Sequence, residues 1–281
     1  MEYDPLKDKA AGLIRIWPPA RELFYRTLEL LLLRQRYVKR YLKKCLPAGS
    51  EFRYYDAGAG FCQYSWQVLK NYPRARVFAA DLKRGYLEDF ARYAQPRFPG
   101  RFSWQQADLQ TFTPSNSYNL VTAIDILEHI PDDLAVLKNF HTALAQGGIL
   151  IISTPSDTDE AAKFTAEHVR PGYNKAELEE KLRSAGFAIL ESLYSYGTWG
   201  SLAWRLLLKY PLSLLGKSKL FLVVLPFYWL LLFPPAELLM RLELKTKNKS
   251  GTGIIVVARK EATDDVCLDK NFSQVSEGEV I

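Results

Sequence analysis

Short apolar runs and longer helical periods alternate through most of this chain, and two stretches break the rhythm. Runs of four to eight apolar and β-branched residues bounded by turn residues read as strands. They predict strands over 75–81, 102–109, 118–124, 148–153, about 188–194, and 253–259. A further short strand starts at 51 and runs into Asp56-Ala57-Gly58-Ala59-Gly60, with a helix from Gln63 to Asn71 directly behind that turn. Strands alternating with helical segments predict an α/β fold, a Rossmann-like doubly wound sheet of seven strands.

The first break is N-terminal. Residues 21–46 read as one helix with an apolar band from Leu23 to Leu33, opened by Pro18-Pro19 and closed by Pro47. Its second half interleaves six Lys and Arg with Tyr37, Val38, Tyr41 and Leu42. Such a helix either caps the sheet with a solvated basic face or lies on a membrane surface. The second break falls between the sixth and seventh strands, where a short turn would suffice. There the segment Leu220–Phe233 carries no charge in 14 residues, and apolar stretches flank it at 202–215 and 236–241. A membrane span needs about 20 apolar residues, and Pro226 and Pro234-Pro235 are expected to cut this run. Strands six and seven must also join one sheet, so the chain cannot end on the far side of a bilayer. A shallow helical hairpin bent at Gly216–Lys219 is the expectation, with Trp199, Trp204, Tyr228 and Trp229 at headgroup depth. The alternative is a lid packed on the core or on a partner. The expected organisation is an N-terminal basic helical region over 1–46, a core over 47–197 and 251–260, a membrane-associating insert over 198–250, and an acidic tail over 261–281.

Charge changes this picture in one way. The chain carries +6, but residues 261–281 hold six acids against one Lys, so residues 1–260 carry +11. The tail is polar and aperiodic and is expected to be disordered. The basic remainder calls for an anionic surface, and on charge alone nucleic acid and membrane headgroups both qualify. Three cysteines, Cys45, Cys62 and Cys267, match no metal spacing and leave one over from any pairing, so a reducing compartment is expected. The opening Met-Glu-Tyr-Asp-Pro lacks the pattern of a signal peptide.

The glycine turn holds the chemistry. Gly58-x-Gly60 lacks the third glycine of a dinucleotide site, since Gln63 stands there. Asp56, two residues before the first glycine, would repel a pyrophosphate and suit a ligand carrying an amine, such as the methionine portion of S-adenosylmethionine. Asp81, 21 residues beyond Gly60, ends the second strand where an acid can grip ribose hydroxyls. Asp108 and Leu109 end the third, placed to hydrogen-bond and cover an adenine. Together with Asp125-x-x-Glu128-His129-Ile-Pro131, Gly147-Gly148, His168-Val-Arg170 and Leu182–Phe187, these residues resemble the class I S-adenosylmethionine-dependent methyltransferases over roughly 45–195 and 253–259. The chain is similar to the small-molecule branch, including the quinone methyltransferases, rather than to the nucleic-acid branches. The resemblance implies that Asp56, Gly58 and Gly60 hold the methionine end, Asp81 the ribose and Asp108 the adenine. It also implies a small-molecule acceptor and no nucleic acid.

Asp125, Glu128 and His129 follow the fourth strand, whose end faces the reactive methyl in this family; Asp125 also counts among the cofactor contacts. His129 is suited to accept a phenol's proton. Alternatively, the three side chains resemble the Glu-x-x-Glu-His metal triad of quinone O-methyltransferases and would hold Mg²⁺. A third reading makes Glu-His-Ile-Pro a helix cap. His168 is a weaker candidate at the rim. The functional expectation is a methyltransferase on the cytoplasmic face of a membrane, partnered by the bilayer and by a lipophilic acceptor, a quinone or a lipid. The rivals are an S-adenosylmethionine-using enzyme of other chemistry on the same lipid, and a non-catalytic cofactor-binding membrane subunit.

Overall fold

The computed structural model describes residues 18–46, 49–158 and 169–261. His168, Cys267 and nearly all of the acidic tail lie outside the described residues. The elements run α1 (Pro18–Leu31), α2 (Leu33–Cys45), β1 (Arg53–Ala57), α3 (Gln63–Asn71), β2 (Arg76–Asp81), α4 (Arg84–Ala94), β3 (Phe102–Gln106), β4 (Tyr118–Ile124), a 3-10 turn (Leu127–His129), α5 (Asp133–Ala143), β5 (Leu144–Pro155), α6 (Lys175–Ser184), β6 (Phe187–Ser195), α7 (Thr198–Trp204), a π turn (Arg205–Lys209), α8 (Tyr210–Lys217), α9 (Phe221–Lys245) and β7 (Gly253–Lys260).

The seven strands form one sheet in the order β3-β2-β1-β4-β5-β7-β6, all parallel except β7. The strand direction of chain order reverses between β1 and β4, and a crevice for ligands opens at the carboxyl ends beside that switch. Period-two alternation builds a core on each face. Tyr54, Leu120, Ile151, Ile255 and Val257 point to one side, where α2, α3, α4 and the insert pack. Tyr55, Val121, Ile152, Ile254 and Val256 point to the other, where α5 and α6 pack. Central strands buried on both faces explain why their sequences read as continuous apolar runs.

The N-terminal helix differs from expectation. It breaks at Leu32, whose backbone is extended, into α1 and α2. The stripe Tyr37, Val38, Tyr41 and Leu42 is buried against the sheet, so α2 caps the core. Several of its bases are paired: Lys44 with Glu191 at 3.0 Å, and Arg36 with Glu237 at 2.6 Å.

The insert leaves and rejoins the sheet at neighbouring points, with Thr252 N donating to Tyr196 O at 3.2 Å. It is a helical hairpin, α7 to α8 outward and α9 back. The prolines do not cut α9, which runs 25 residues through Pro226, Pro234 and Pro235. Each proline removes one i to i−4 bond, freeing the carbonyls of Leu222, Leu230 and Leu231, while the bonds on either side keep the helix going. The π turn likewise leaves carbonyls open, and α9 fills two of them. Tyr228 Oη donates to Leu206 O at 2.8 Å and Trp229 Nε1 to Leu207 O at 3.1 Å.

One face of α9 docks through Ala236, Met240 and Glu243, at the i, i+4, i+7 spacing of a helix face. Glu243 is fully buried, accepting from Gly197 N at 2.8 Å, Gly200 N at 2.9 Å and Asn248 Nδ2 at 2.6 Å. The opposite face exposes Val223, Phe227, Leu230 and Leu231, the last three above 70%. By length and composition α9 is able to cross a membrane.

Candidate active site

The turn after β1 is tied to the end of β2. Gly58 N and Ala59 N both donate to Ala80 O, at 2.8 and 3.1 Å. Gly58 has φ +69, and a Cβ there would stand 2.3 Å from Ile126 Cγ2. Gly58 is therefore needed for the close approach of this turn to the loop after β4. Gly60, φ +49, faces open space, with nothing within 4 Å of the position a Cβ would take. A ligand can reach its backbone.

Asp81 ends β2 beside that opening. Its carboxylate accepts from Gly60 N and from Lys83 N, both at 2.8 Å. An acid with the turn glycine on one side and open space near it fits a ribose diol. The residues present therefore fit the sugar and amino-acid portions of S-adenosylmethionine.

Asp56 is placed differently from expectation. Its carboxylate is buried beneath the turn, accepting from Ser65 N at 3.0 Å and Ser65 Oγ at 2.6 Å, with Thr122 Oγ1 at 3.5 Å. It holds the first turn of α3 against the strands and does not reach the open side. Burial pushes its pKa up to about 7, with the Ser65 hydrogen bonds working against that rise and nearby Asp81 adding to it. Asp108 is exposed on the loop after β3, accepting from Gln110 N at 2.9 Å. Leu109 turns inward into the α5 side of the core, where its apolar side chain finds packed partners.

Asp125 has φ +51, a left-handed conformation uncommon for a non-glycine residue. Its N–H donates to Ser153 O at 2.7 Å, and its carboxylate accepts from Ser153 Oγ at 3.3 Å. The other carboxylate oxygen is ion-paired with Arg34 of α2. Glu128 is buried and faces inward, accepting from Thr154 Oγ1 at 3.1 Å; burial raises its pKa, against the opposing pull of its own backbone N–H, His129 and Arg34. His129 remains half-buried on the 3-10 turn.

The metal expectation is overturned by this arrangement. Among the described residues no group of three His, Cys, Asp or Glu side chains is placed to hold an ion. Asp125 turns to Arg34 and Glu128 to Thr154, so the triad does not converge. Arg170 of the His-Val-Arg motif is likewise structural, donating to Asp133 Oδ2 at 2.6 Å and Pro131 O at 3.0 Å.

A sequence profile for a family described as "Methyltransferase domain" matches residues 34–192, more than half of the chain. The chain belongs to this family. It carries a methyltransferase domain with the Rossmann-like sheet of the class I fold.

Among curated proteins, this methyltransferase is similar to trans-aconitate 2-methyltransferase of Azoarcus sp. (strain BH72), 30% identical over 105 residues, which are 37% of this chain and 40% of the relative. It is 32% identical over 114 residues to the enzyme of that name from Enterobacter sp. (strain 638), covering 41% of this chain and 43% of the relative. The matches thus span about two fifths of each relative's length. Among solved structures, a putative sarcosine dimethylglycine methyltransferase from Galdieria sulphuraria superposes with TM-score 0.55 at 16% identity, covering 86% of this chain and 87% of that one. That likeness shows the shared fold.

Sequence reasoning missed Ser65 and Thr122 around Asp56, and Arg34, which pairs with Asp125 and has Tyr64 and Tyr196 beside it. Arg34 was counted with the basic face of its helix. Yet Arg34, Tyr37, Val38 and Tyr41 fall at i, i+3, i+4 and i+7, the spacing of one helix face. That spacing was the available signal.

Proposed function

We propose that this methyltransferase works at the surface of a membrane on a lipophilic acceptor, a quinone or a lipid. The observation that carries the reading is the outer face of α9, where Phe227, Leu230 and Leu231 stand above 70% exposed. An apolar patch of that extent on a soluble surface marks a contact with lipid or protein. Charge favours lipid. Residues 198–250 hold eight Lys and Arg against Glu237 and the buried Glu243. A cationic collar on an apolar hairpin matches headgroups above acyl chains.

Depth is limited by the docked half of α9. From Phe221 to Phe233 the helix reaches about 20 Å at 1.5 Å per residue, short of a hydrocarbon core about 30 Å thick. The carbonyls freed by the prolines favour the interface, where water and headgroups can satisfy them. The hairpin therefore enters one leaflet and returns.

At the site, S-adenosylmethionine supplies a methyl already activated on a sulfonium. Gly58 and Gly60 shape the turn that would receive its amino-acid end, Asp81 would hold the ribose hydroxyls, and Asp108 would meet the adenine. Asp56 holds the turn and the start of α3 in register. His129 would take the proton of an acceptor hydroxyl, and the Arg34–Asp125 ion pair stands beside it after β4.

Vesicle flotation tests the membrane reading. Intact protein is expected to float with vesicles and to resist 1 M salt, because hydrophobic burial is not screened by ions. Protein lacking 202–242, bridged by a Gly/Ser linker, is expected to stay at the bottom and still bind S-adenosylmethionine by calorimetry. If intact protein does not float, or salt alone releases it, the outer face of α9 serves a lid or a protein contact and the lipid acceptor loses its support.

A further inference from the structure

One face of α9 stays open along the whole helix. Val223, Phe227, Leu231, Leu238 and Leu242 follow the spacing of a single helix face, and all five are exposed. The apolar face therefore continues from the free half of α9 over the half that docks on the core. There it lies opposite Ala236, Met240 and Glu243. It ends at Lys245, the last residue of the helix.

The end of α9 has α2 beside it. Arg36 is ion-paired with Glu237 at 2.6 Å, Tyr37 Oη donates to Glu243 O at 3.5 Å, and Arg40 Nη1 donates to Leu244 O at 2.7 Å. These contacts advance together along both helices, so the two basic ends arrive at one corner. Arg40 and Lys43 of α2 are exposed there, as are Lys245, Lys247 and Lys249 at the end of α9 and just after it. The acids nearby are already committed. Glu237 holds Arg36 and Arg241, and Glu191 holds Lys44. Glu243 is buried, taken by Gly197 N, Gly200 N and Asn248 Nδ2. Cations gathered without acids repel one another, and an anionic surface relieves that repulsion. Nucleic acid would offer phosphates but leave the apolar face in water. A lipid leaflet offers acyl chains and phosphates side by side.

We propose that Arg40, Lys43, Lys245, Lys247 and Lys249 form a docking surface for the headgroups of anionic phospholipids. The inference rests on the membrane reading and sharpens it. The apolar face of α9 supplies attachment, and the basic corner supplies the choice of lipid. Part of that choice comes from outside the insert. The apolar stripe of α2 is buried in the core, while its basic end joins the membrane contact.

Flotation of full-length protein with two kinds of vesicle tests this, one of phosphatidylcholine alone and one that also contains phosphatidylserine. Wild type is expected to float with both. It should partition more strongly onto the serine lipid, by about fivefold for each cation engaged. High salt should remove that difference and leave the attachment to both. The triple variant Lys245→Gln, Lys247→Gln, Lys249→Gln is expected to lose most of the preference, and adding Arg40→Gln and Lys43→Gln the rest. Both should still float with phosphatidylcholine. A control with Lys70→Gln, Arg92→Gln and Lys138→Gln removes as much charge as the triple variant from exposed sites on α3, α4 and α5, and should keep the preference. Binding of S-adenosylhomocysteine by calorimetry checks that each variant is folded. Equal partition of wild type onto both vesicles overturns the proposal and leaves the membrane reading standing, as does an equal loss in triple variant and control. Flotation with neither vesicle overturns both. Flotation with the serine lipid alone keeps the basic corner and removes the apolar attachment. Tighter binding of wild type to a duplex DNA oligonucleotide than to the anionic vesicles, lost in the same variants, would assign the corner to nucleic acid instead.

Discussion

The sheet and the insert use the same residue types to opposite ends. In β4, β5 and β7, Leu120, Val121, Ile151, Ile152, Ile255 and Val256 are wholly buried, each packed into one of two cores. On α9, Phe227, Leu230 and Leu231 are as apolar and stand in the open. The contrast lies in what surrounds the apolar residues. Strands present both faces to helices, so every side chain finds a partner. A helix presents one face at a time, and α9 spends that face on Ala236, Met240 and Glu243. Apolar content alone thus does not distinguish a core from a docking surface; the number of faces covered does.

If this division holds, chemistry and docking should separate cleanly. The largest effect is expected from His129→Ala, a drop in turnover of roughly 10²–10⁴ for a lost general base, with vesicle flotation and cofactor affinity unchanged. A turnover within twofold of wild type would return His129 to helix capping. Next is Glu243→Ala. Three donors lose a buried carboxylate, two of them opening α7 at Gly197 and Gly200. A loss of about 3 kcal/mol in unfolding free energy is expected, together with increased protease access to the insert while the sheet remains protected. Uniform protease sensitivity would mean that the two regions unfold as one.

A pH effect of moderate size belongs to the core. Folded Asp56 keeps its proton to about pH 7, while the unfolded chain releases it near 3.8. Between those values the native state binds more protons, so this group makes stability fall as pH rises through the window and level off above it. Urea unfolding at pH 5 and 7.5 should show that slope in wild type and a flatter one in Asp56→Asn. The smallest stability effect is expected from the double change Leu230→Ser and Leu231→Ser, within about 0.5 kcal/mol of wild type because exposed side chains contribute little. Flotation of that variant should nonetheless fall sharply. A large loss of stability would instead place these leucines against protein.

The sequence made the sheet legible because buried central strands read as apolar runs ending in acids. Gly58 and Gly60 at the turn and Asp81 at the end of β2 were legible as positions for the same reason, since a sharp turn and a strand end leave local marks. Asp56 was recognised, but its direction was not, since whether a carboxylate points above or below a turn depends on Ser65 nine residues away and Thr122 in another strand. Leu109 packs in the core, which its sequence position could not foretell, because an apolar residue at a strand end serves a ligand or a core equally well. The metal triad failed on contacts that no local spacing reveals, Asp125 with α2 and Glu128 with β5. Strand limits also shifted, β5 opening at Leu144 rather than Gly148, where pairing with Tyr118 extends it past the apolar run.

Leu33 carries one last consequence. A Cβ on Gly200 of α7 would lie 2.7 Å from Leu33 Cδ2, so the insert's first helix rests directly against the residue before Arg34. Tyr196, the residue that leads into α7, receives the backbone N–H of Arg34 itself. The hairpin therefore touches the start of α2 at two points. One contact is made by the Tyr196 hydroxyl and the other by the Leu33 side chain packed on Gly200. The insert and the Arg34–Asp125 pair are thus neighbours in space, although strands β1 to β6 lie between Leu33 and Gly200 in the chain.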